Sequence, residues 1–117
     1  GAYDEKTLSY ASFSGRGYTV DNMIKPDIVA PGVDIETASV GGGYELKTGT
    51  SFATPFVAGA AALMMEYGII DGNDPFLFGE KLKSYLIRGA KTLPGISKWP
   101  NEFAGWGALC FKDSLPE

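Results

Sequence analysis

Histidine is absent from all 117 residues of this chain, and that absence excludes more than any other feature of its composition. The chain has no imidazole to take a proton from a nucleophile and hand it to a leaving group near neutral pH, so such a mechanism must borrow its base from elsewhere. Cysteine is nearly as scarce. Cys110 stands alone, which rules out an intrachain disulfide, and with no second cysteine and no histidine there is no zinc-ligand pattern. Cys110 is expected to be a buried apolar thiol. Basic residues number ten against fourteen acids, for a net charge of −4. With no basic stripe, neither nucleic acid nor an anionic membrane surface is expected as a partner. Internal repeats are missing as well. The long apolar run from Phe52 to Ile70 approaches the length of a membrane span, but it contains Glu66, opens on Thr54-Pro55 and is rich in Ala and Gly. A buried core helix is expected there instead.

What is present is ordered around Gly49-Thr50-Ser51-Phe52-Ala53-Thr54-Pro55. Short strands and turns are expected before it and helix after it, in a chain whose length and 44% hydrophobic content suit one globular unit. Ser51 falls at the junction. A serine opening a helix has unpaired backbone N–H groups around it and the positive end of the peptide dipole beneath it, so negative charge developing beside its oxygen is stabilised. Small residues at Gly49 and Ala53 leave room for another backbone to approach. Pro55 is expected in the first helical turn, where a missing N–H has no intrahelical partner. For a bare Gly-Thr-Ser, an N-cap and a turn glycine would be the whole reading.

The string does not stop there. It continues through Pro55-Phe56-Val57-Ala58-Gly59-Ala60-Ala61-Ala62-Leu63 and is preceded by Lys25-Pro26-Asp27-Ile28-Val29-Ala30-Pro31-Gly32. Together these resemble the subtilisin-like serine proteases, whose nucleophile block reads G-T-S-x-A-x-P then x-V-A-G, with an A-P-G element upstream. Tyr10-Ala11-Ser12-Phe13-Ser14 resembles the family's A-S-F-S segment, and Gly105-Trp106-Gly107 its late G-x-G element. The resemblance implies an α/β fold, three-layered, with a mainly parallel sheet flanked by helices. Residues 1–117 would be the C-terminal portion of the catalytic domain. Asp, His and Ser follow in that order along such enzymes, so a piece with only the last member should lack histidine.

By that resemblance Ser51 is the nucleophile of a serine endopeptidase and its own N–H part of the oxyanion hole, with Gly49, Thr50, Ala53 and Pro55 in support. The partner is a polypeptide substrate. An upstream Asn side chain supplies the family's second oxyanion donor, worth about 2.7–4 kcal/mol in such sites. None of Asn22, Asn73 or Asn101 sits in a matching motif. Phe56 replaces a histidine outside the triad that subtilases commonly carry there. No cofactor is evident, although calcium is compatible with the parent enzyme. The histidine and acid would come from the missing N-terminal part of the protein, so the piece alone is expected to be inert and to self-associate through uncovered apolar faces. Sedolisins, with Glu and Asp in place of histidine, and a Ser-Lys dyad using Lys47 are the other acyl-transfer readings; an exposed, charged lysine is a poor base. Ser14-Gly15-Arg16-Gly17-Tyr18-Thr19, Asn73 to Lys81 and Gly105 to Cys110 resemble the subtilases of anaerobic spore-formers. That group includes germination proteases that activate a cortex-lytic enzyme, and some members have lost triad residues and signal as pseudoproteases. The resemblance implies an extracellular or spore-associated location, and a noncatalytic module that binds protein partners is the alternative function.

Along the chain, Leu8 to Ser14 and Asp27 to Ala30 are expected as strands, the second buried in a parallel sheet. Val33 to Val40 and Tyr44 to Thr48 should flank a hairpin or a looser flexible turn at Gly41-Gly42-Gly43. One helix is expected from Ser51 to Tyr67 with Gly68 as its stop, and a second from Phe76 to Arg88 with Asp74 as N-cap. Asp27 is read as structural, Arg16, Lys81 and Lys83 as solvated, and Trp99 and Phe103 as fasteners of an irregular segment.

Overall fold

A computed structural model describes residues 1–116. The first short strand, β1 (Ala2–Asp4), pairs antiparallel with β2 (Ser9–Tyr10) and parallel with the strand at the A-P-G element. A small hairpin follows, β3 (Gly17–Tyr18) against β4 (Ile24–Lys25), closed by Met23 N–H donating to Thr19 Oγ1 at 3.0 Å. Strand β5 (Ala30–Pro31) lies in register with Ala2 and Tyr3. On its other side Val29 bridges Ala108 in parallel, and Ala108 bridges Lys91, so the sheet continues through the late segments of the chain. This packs the apolar run of residues 28–30 between two neighbours, as the sequence pattern requires.

The predicted strand from Leu8 to Ser14 is shorter than expected. Only Ser9–Tyr10 pair, because the chain then turns so that buried Ser14 can accept the Ala2 N–H on its Oγ at 3.0 Å. Tyr10 donates its hydroxyl to the Ser14 carbonyl at 2.7 Å and meets Phe103 edge-on, with ring centroids 5.3 Å apart. Phe103 also carries the Arg16 guanidinium over its face at 5.2 Å. Both expected fasteners hold, since Trp99 packs on the cluster of Tyr3, Val29, Leu93, Ala104 and Ala108 and donates Nε1–H to the Ile96 carbonyl.

The expected hairpin forms as β6 (Ile35–Ala38) and β7 (Tyr44–Lys47), joined through glycines at positive φ. After two connecting residues, Thr48 and Gly49, helix α1 (Thr50–Met65) begins. Gly68 does not end it. The helix widens into a π turn, Glu66–Ile70, closed by Asp71 N–H donating to the Glu66 carbonyl at 2.9 Å. Gly68 is buried inside that turn, and a Cβ on it would lie 2.7 Å from both the Asp74 carbonyl oxygen and Leu77 Cβ. Its smallness serves a close approach rather than a C-cap.

Helix α2 (Gly79–Gly89) starts three residues later than expected. Asp74 instead folds the preceding loop: its Oδ1 accepts the Phe76 N–H at 3.1 Å, and its carbonyl accepts the Leu77 N–H. Leu77, wholly buried, joins Met64, Leu82 and Leu86 beneath the two helices. The short helix α3 (Phe111–Ser114) covers the end of α2, where Gly89 leaves room for Ser114. Cys110, expected to be buried, is half-buried just before α3.

Helix α1 also departs from the buried core helix that was expected. With the π turn it is long and apolar enough to cross a membrane by length and composition, yet only Ala53, Ala60 and Met64 of its residues are buried among the described residues. Met65, Ile69 and Ile70 line an uncovered apolar patch beside Ala62 and Glu66.

Candidate active site

Ser51 stands in the first turn of α1, exposed, two residues after Gly49. The path into that turn demands glycine, because Gly49 has φ 153° and a side chain in that region is strained. Two anchors hold the approach. The Gly49 N–H donates to the Gly32 carbonyl at 2.8 Å, and the Asp34 N–H donates to Thr48 Oγ1 at 3.0 Å. Gly32 in turn donates its N–H to the Tyr3 carbonyl at 3.1 Å, so the A-P-G element ties the turn to the sheet. A Cβ on Gly32 would lie 2.6 Å from Ala2 Cβ and 2.9 Å from the Gly49 carbonyl oxygen.

The Phe52 N–H folds back on the Gly49 carbonyl at 3.1 Å. The N–H groups of Thr50 and Ser51 have no acceptor among the described residues, as the first residues of a helix should not. An unpaired donor therefore lies in the same residue as an exposed hydroxyl, at the positive end of a sixteen-residue helix. Developing oxyanion charge is favoured there.

The remaining predicted site residues divide. Thr50 is exposed beside Ser51, and its carbonyl accepts the Thr54 hydroxyl at 3.0 Å. Ala53 is 3% exposed and packs with Ala2, Ala11 and Ala30, so its small size brings the helix down onto the sheet rather than opening space above it. Pro55 lies inside the helix, not in its first turn. Because α1 begins at Thr50, the missing N–H of Pro55 leaves the Ser51 carbonyl without its i+4 donor. That consequence was readable from the four-residue spacing once the helix start was known. Beside Phe52, Pro55 and Phe56 runs a groove of about 280 Å³ whose far wall is Ile35, Glu36 and Thr37.

No hydrogen bond joins the Ser51 hydroxyl to an acidic or basic side chain among the described residues. Lys47 pairs with Glu45 at 3.4 Å. Asp27 is structural, as expected, because Lys25 Nζ lies 2.7 Å and Lys83 Nζ 3.1 Å from its Oδ2. Partial burial pushes its carboxyl up, but the two lysines outweigh that and hold it below the usual range. Lys83, expected to be solvated, thereby links α2 to the segment leading into β5; Lys81 likewise pairs with Asp74 at 2.6 Å. Asn101 is committed to its own loop, its Oδ1 accepting the Phe103 and Ala104 N–H groups. No group of three or more metal-ligating side chains occurs among the described residues.

The family model for peptidase S8, the subtilase family, matches residues 1–107. The chain belongs to the subtilase family. Serine protease AprX of Bacillus subtilis (strain 168) is 36% identical over an alignment covering 97% of this chain and 26% of that protein. Among solved structures, the CspB protease of Clostridium perfringens superposes with a TM-score of 0.92 at 43% identity, over 97% of this chain and 24% of that one. The prenylagaramide maturation protease PagA gives a TM-score of 0.76 at 34% identity, over 98% of this chain and 40% of that one. The chain thus spans between 24% and 40% of the length of these subtilases, and its α/β architecture is theirs.

Proposed function

We propose that this subtilase chain carries the nucleophile, Ser51, of a serine endopeptidase, and is the C-terminal portion of its catalytic domain. The observation that carries this reading is the unpaired Ser51 N–H beside an exposed Ser51 hydroxyl at a helix N-terminus. The imidazole, the triad acid and the second oxyanion donor come from the part of the protein outside these residues, since the chain has no histidine. The Ser51 hydroxyl attacks a peptide carbonyl of a polypeptide substrate while the imidazole takes its proton. The tetrahedral oxyanion receives the Ser51 N–H, the amine leaves with the proton, and water hydrolyses the acyl-enzyme. The piece alone is inert. No metal or organic cofactor enters these steps.

The 43% identity to a Clostridium protease supports placing the protein with the subtilases of anaerobic spore-formers, and an extracellular or spore-associated location with it. The likeness of residues 14–19, 73–81 and 105–110 to spore-former subtilases, some of which have lost triad residues, supports one second reading, a pseudoprotease that binds protein partners. Hydrolysis of unfolded casein by the full-length protein and its Ser51→Ala variant separates the two. A loss of about 10⁶-fold in kcat, the scale of nucleophile removal in triad enzymes, supports the endopeptidase. Hydrolysis that survives Ser51→Ala refutes Ser51 as nucleophile.

A further inference from the structure

We propose that Thr48 is a positioning residue for acylation, acting on Ser51 through the backbone of the turn. This rests on the reading of Ser51 as nucleophile and adds a residue to it. Only Thr48 and Gly49 separate the end of β7 at Lys47 from the start of α1 at Thr50. A rotation of either changes where the Ser51 hydroxyl and N–H point. Gly49 is tethered by its backbone to Gly32 at 2.8 Å, a bond that no side-chain replacement removes directly. Thr48 supplies the second tether with its side chain: Oγ1 accepts the Asp34 N–H at 3.0 Å, across 14 residues of chain.

The two tethers converge on one short segment. Gly32 and Asp34 lie two residues apart just beyond β5, and they grip Gly49 and Thr48, which adjoin. Gly32 is itself hydrogen-bonded to Tyr3 of β1, so the grip refers the turn to the sheet. With one tether the turn can pivot; with two its orientation is fixed. Thr48 is exposed, so the Asp34 N–H can turn to water when the hydroxyl is lost, and folding loses little. Acylation is more demanding, because a displacement of about 1 Å at reacting groups can cost about 10²-fold in rate.

The role of Oγ1 is that of an acceptor. Serine keeps it, whereas valine keeps the shape of threonine and removes it. The experiment compares full-length wild type, Thr48→Val and Thr48→Ser by the second-order rate of fluorophosphonate labelling, kcat and KM on one peptide substrate, and thermal unfolding. The expected result is labelling and kcat about 10-fold lower in Thr48→Val, with KM within twofold of wild type, near wild-type rates in Thr48→Ser, and similar unfolding temperatures in all three. A Thr48→Val protein that labels at the wild-type rate overturns the positioning role while leaving the nucleophile reading intact. A Thr48→Ser protein as slow as Thr48→Val also overturns it. A wild type that never labels refutes the nucleophile reading, and the positioning role falls with it.

Discussion

Replacing Gly32 by alanine should disturb the fold and the turn that carries Ser51 together. The new methyl would meet Ala2 Cβ at 2.6 Å and the Gly49 carbonyl oxygen at 2.9 Å, with Ala53 Cβ at 3.4 Å. Carbon atoms rest near 3.5–4.0 Å apart, so β1 and β5 must separate by about 1 Å, and no flexible side chain can absorb the shift. Overpacking of this kind costs about 1–3 kcal/mol. The Gly49 N–H bond to the Gly32 carbonyl, now 2.8 Å, would stretch past the useful range and forfeit about 1 kcal/mol more. The total expected loss is about 2–4 kcal/mol, read as a shift in guanidinium unfolding of the full-length protein. Labelling of Ser51 should fall by about 10²-fold, since the displaced atoms belong to the turn that carries it. Adding Ala2→Gly removes the first clash and keeps the second, so the double variant should recover part of the stability but little of the labelling. A Gly32→Ala protein within about 0.5 kcal/mol of wild type, an ordinary surface-substitution effect, would refute the claim that the A-P-G element clamps the turn.

Two further outcomes follow from the same structure. Asp27 has a folded pKa held below its unfolded value, so its pairing adds stability above the unfolded carboxylate range, near pH 4, and that contribution is lost as pH falls through the lower folded value. Asp27→Asn should therefore destabilise by under about 1 kcal/mol at pH 7, because both lysines are partly exposed. The difference from wild type should vanish toward pH 2, as followed by unfolding at stepped pH. The isolated 117-residue chain, with Met65, Ile69 and Ile70 uncovered in one patch, should self-associate with rising concentration in analytical ultracentrifugation. Ile70→Glu should weaken that association, and a monomer at all concentrations would refute it.

The site was more legible than the packing around it. The switch from strand to helix at Gly49-Thr50-Ser51 was placed within one residue, since α1 begins at Thr50 rather than Ser51 and with no side-chain cap, and the hairpin formed where the triple glycine indicated. Gly68 misled because a glycine in a helix reads as a stop, whereas here the nearness of Asp74 and Leu77 requires it. That contact is tertiary and leaves no local trace. Ser14 ended a strand early for a similar reason, its hydroxyl being drawn to the Ala2 N–H twelve residues away. Ala53 and Pro55 were read for their smallness and their missing N–H, but burial against Ala2 and Ala30 and a helix start at Thr50 give both features consequences other than those expected. The grip of Gly32 and Asp34 on the turn could not be read at all, since hydrogen bonds across fourteen and more residues depend on the assembled sheet.

Ser51 should work as a nucleophile once the rest of the domain is present. The most direct measurement is fluorophosphonate labelling of the folded, mature full-length protein and of its Ser51→Ala variant, read by intact mass. A single adduct on the wild type, absent from the variant, is the predicted result. An unlabelled wild type, or an adduct that persists in Ser51→Ala, would contradict it.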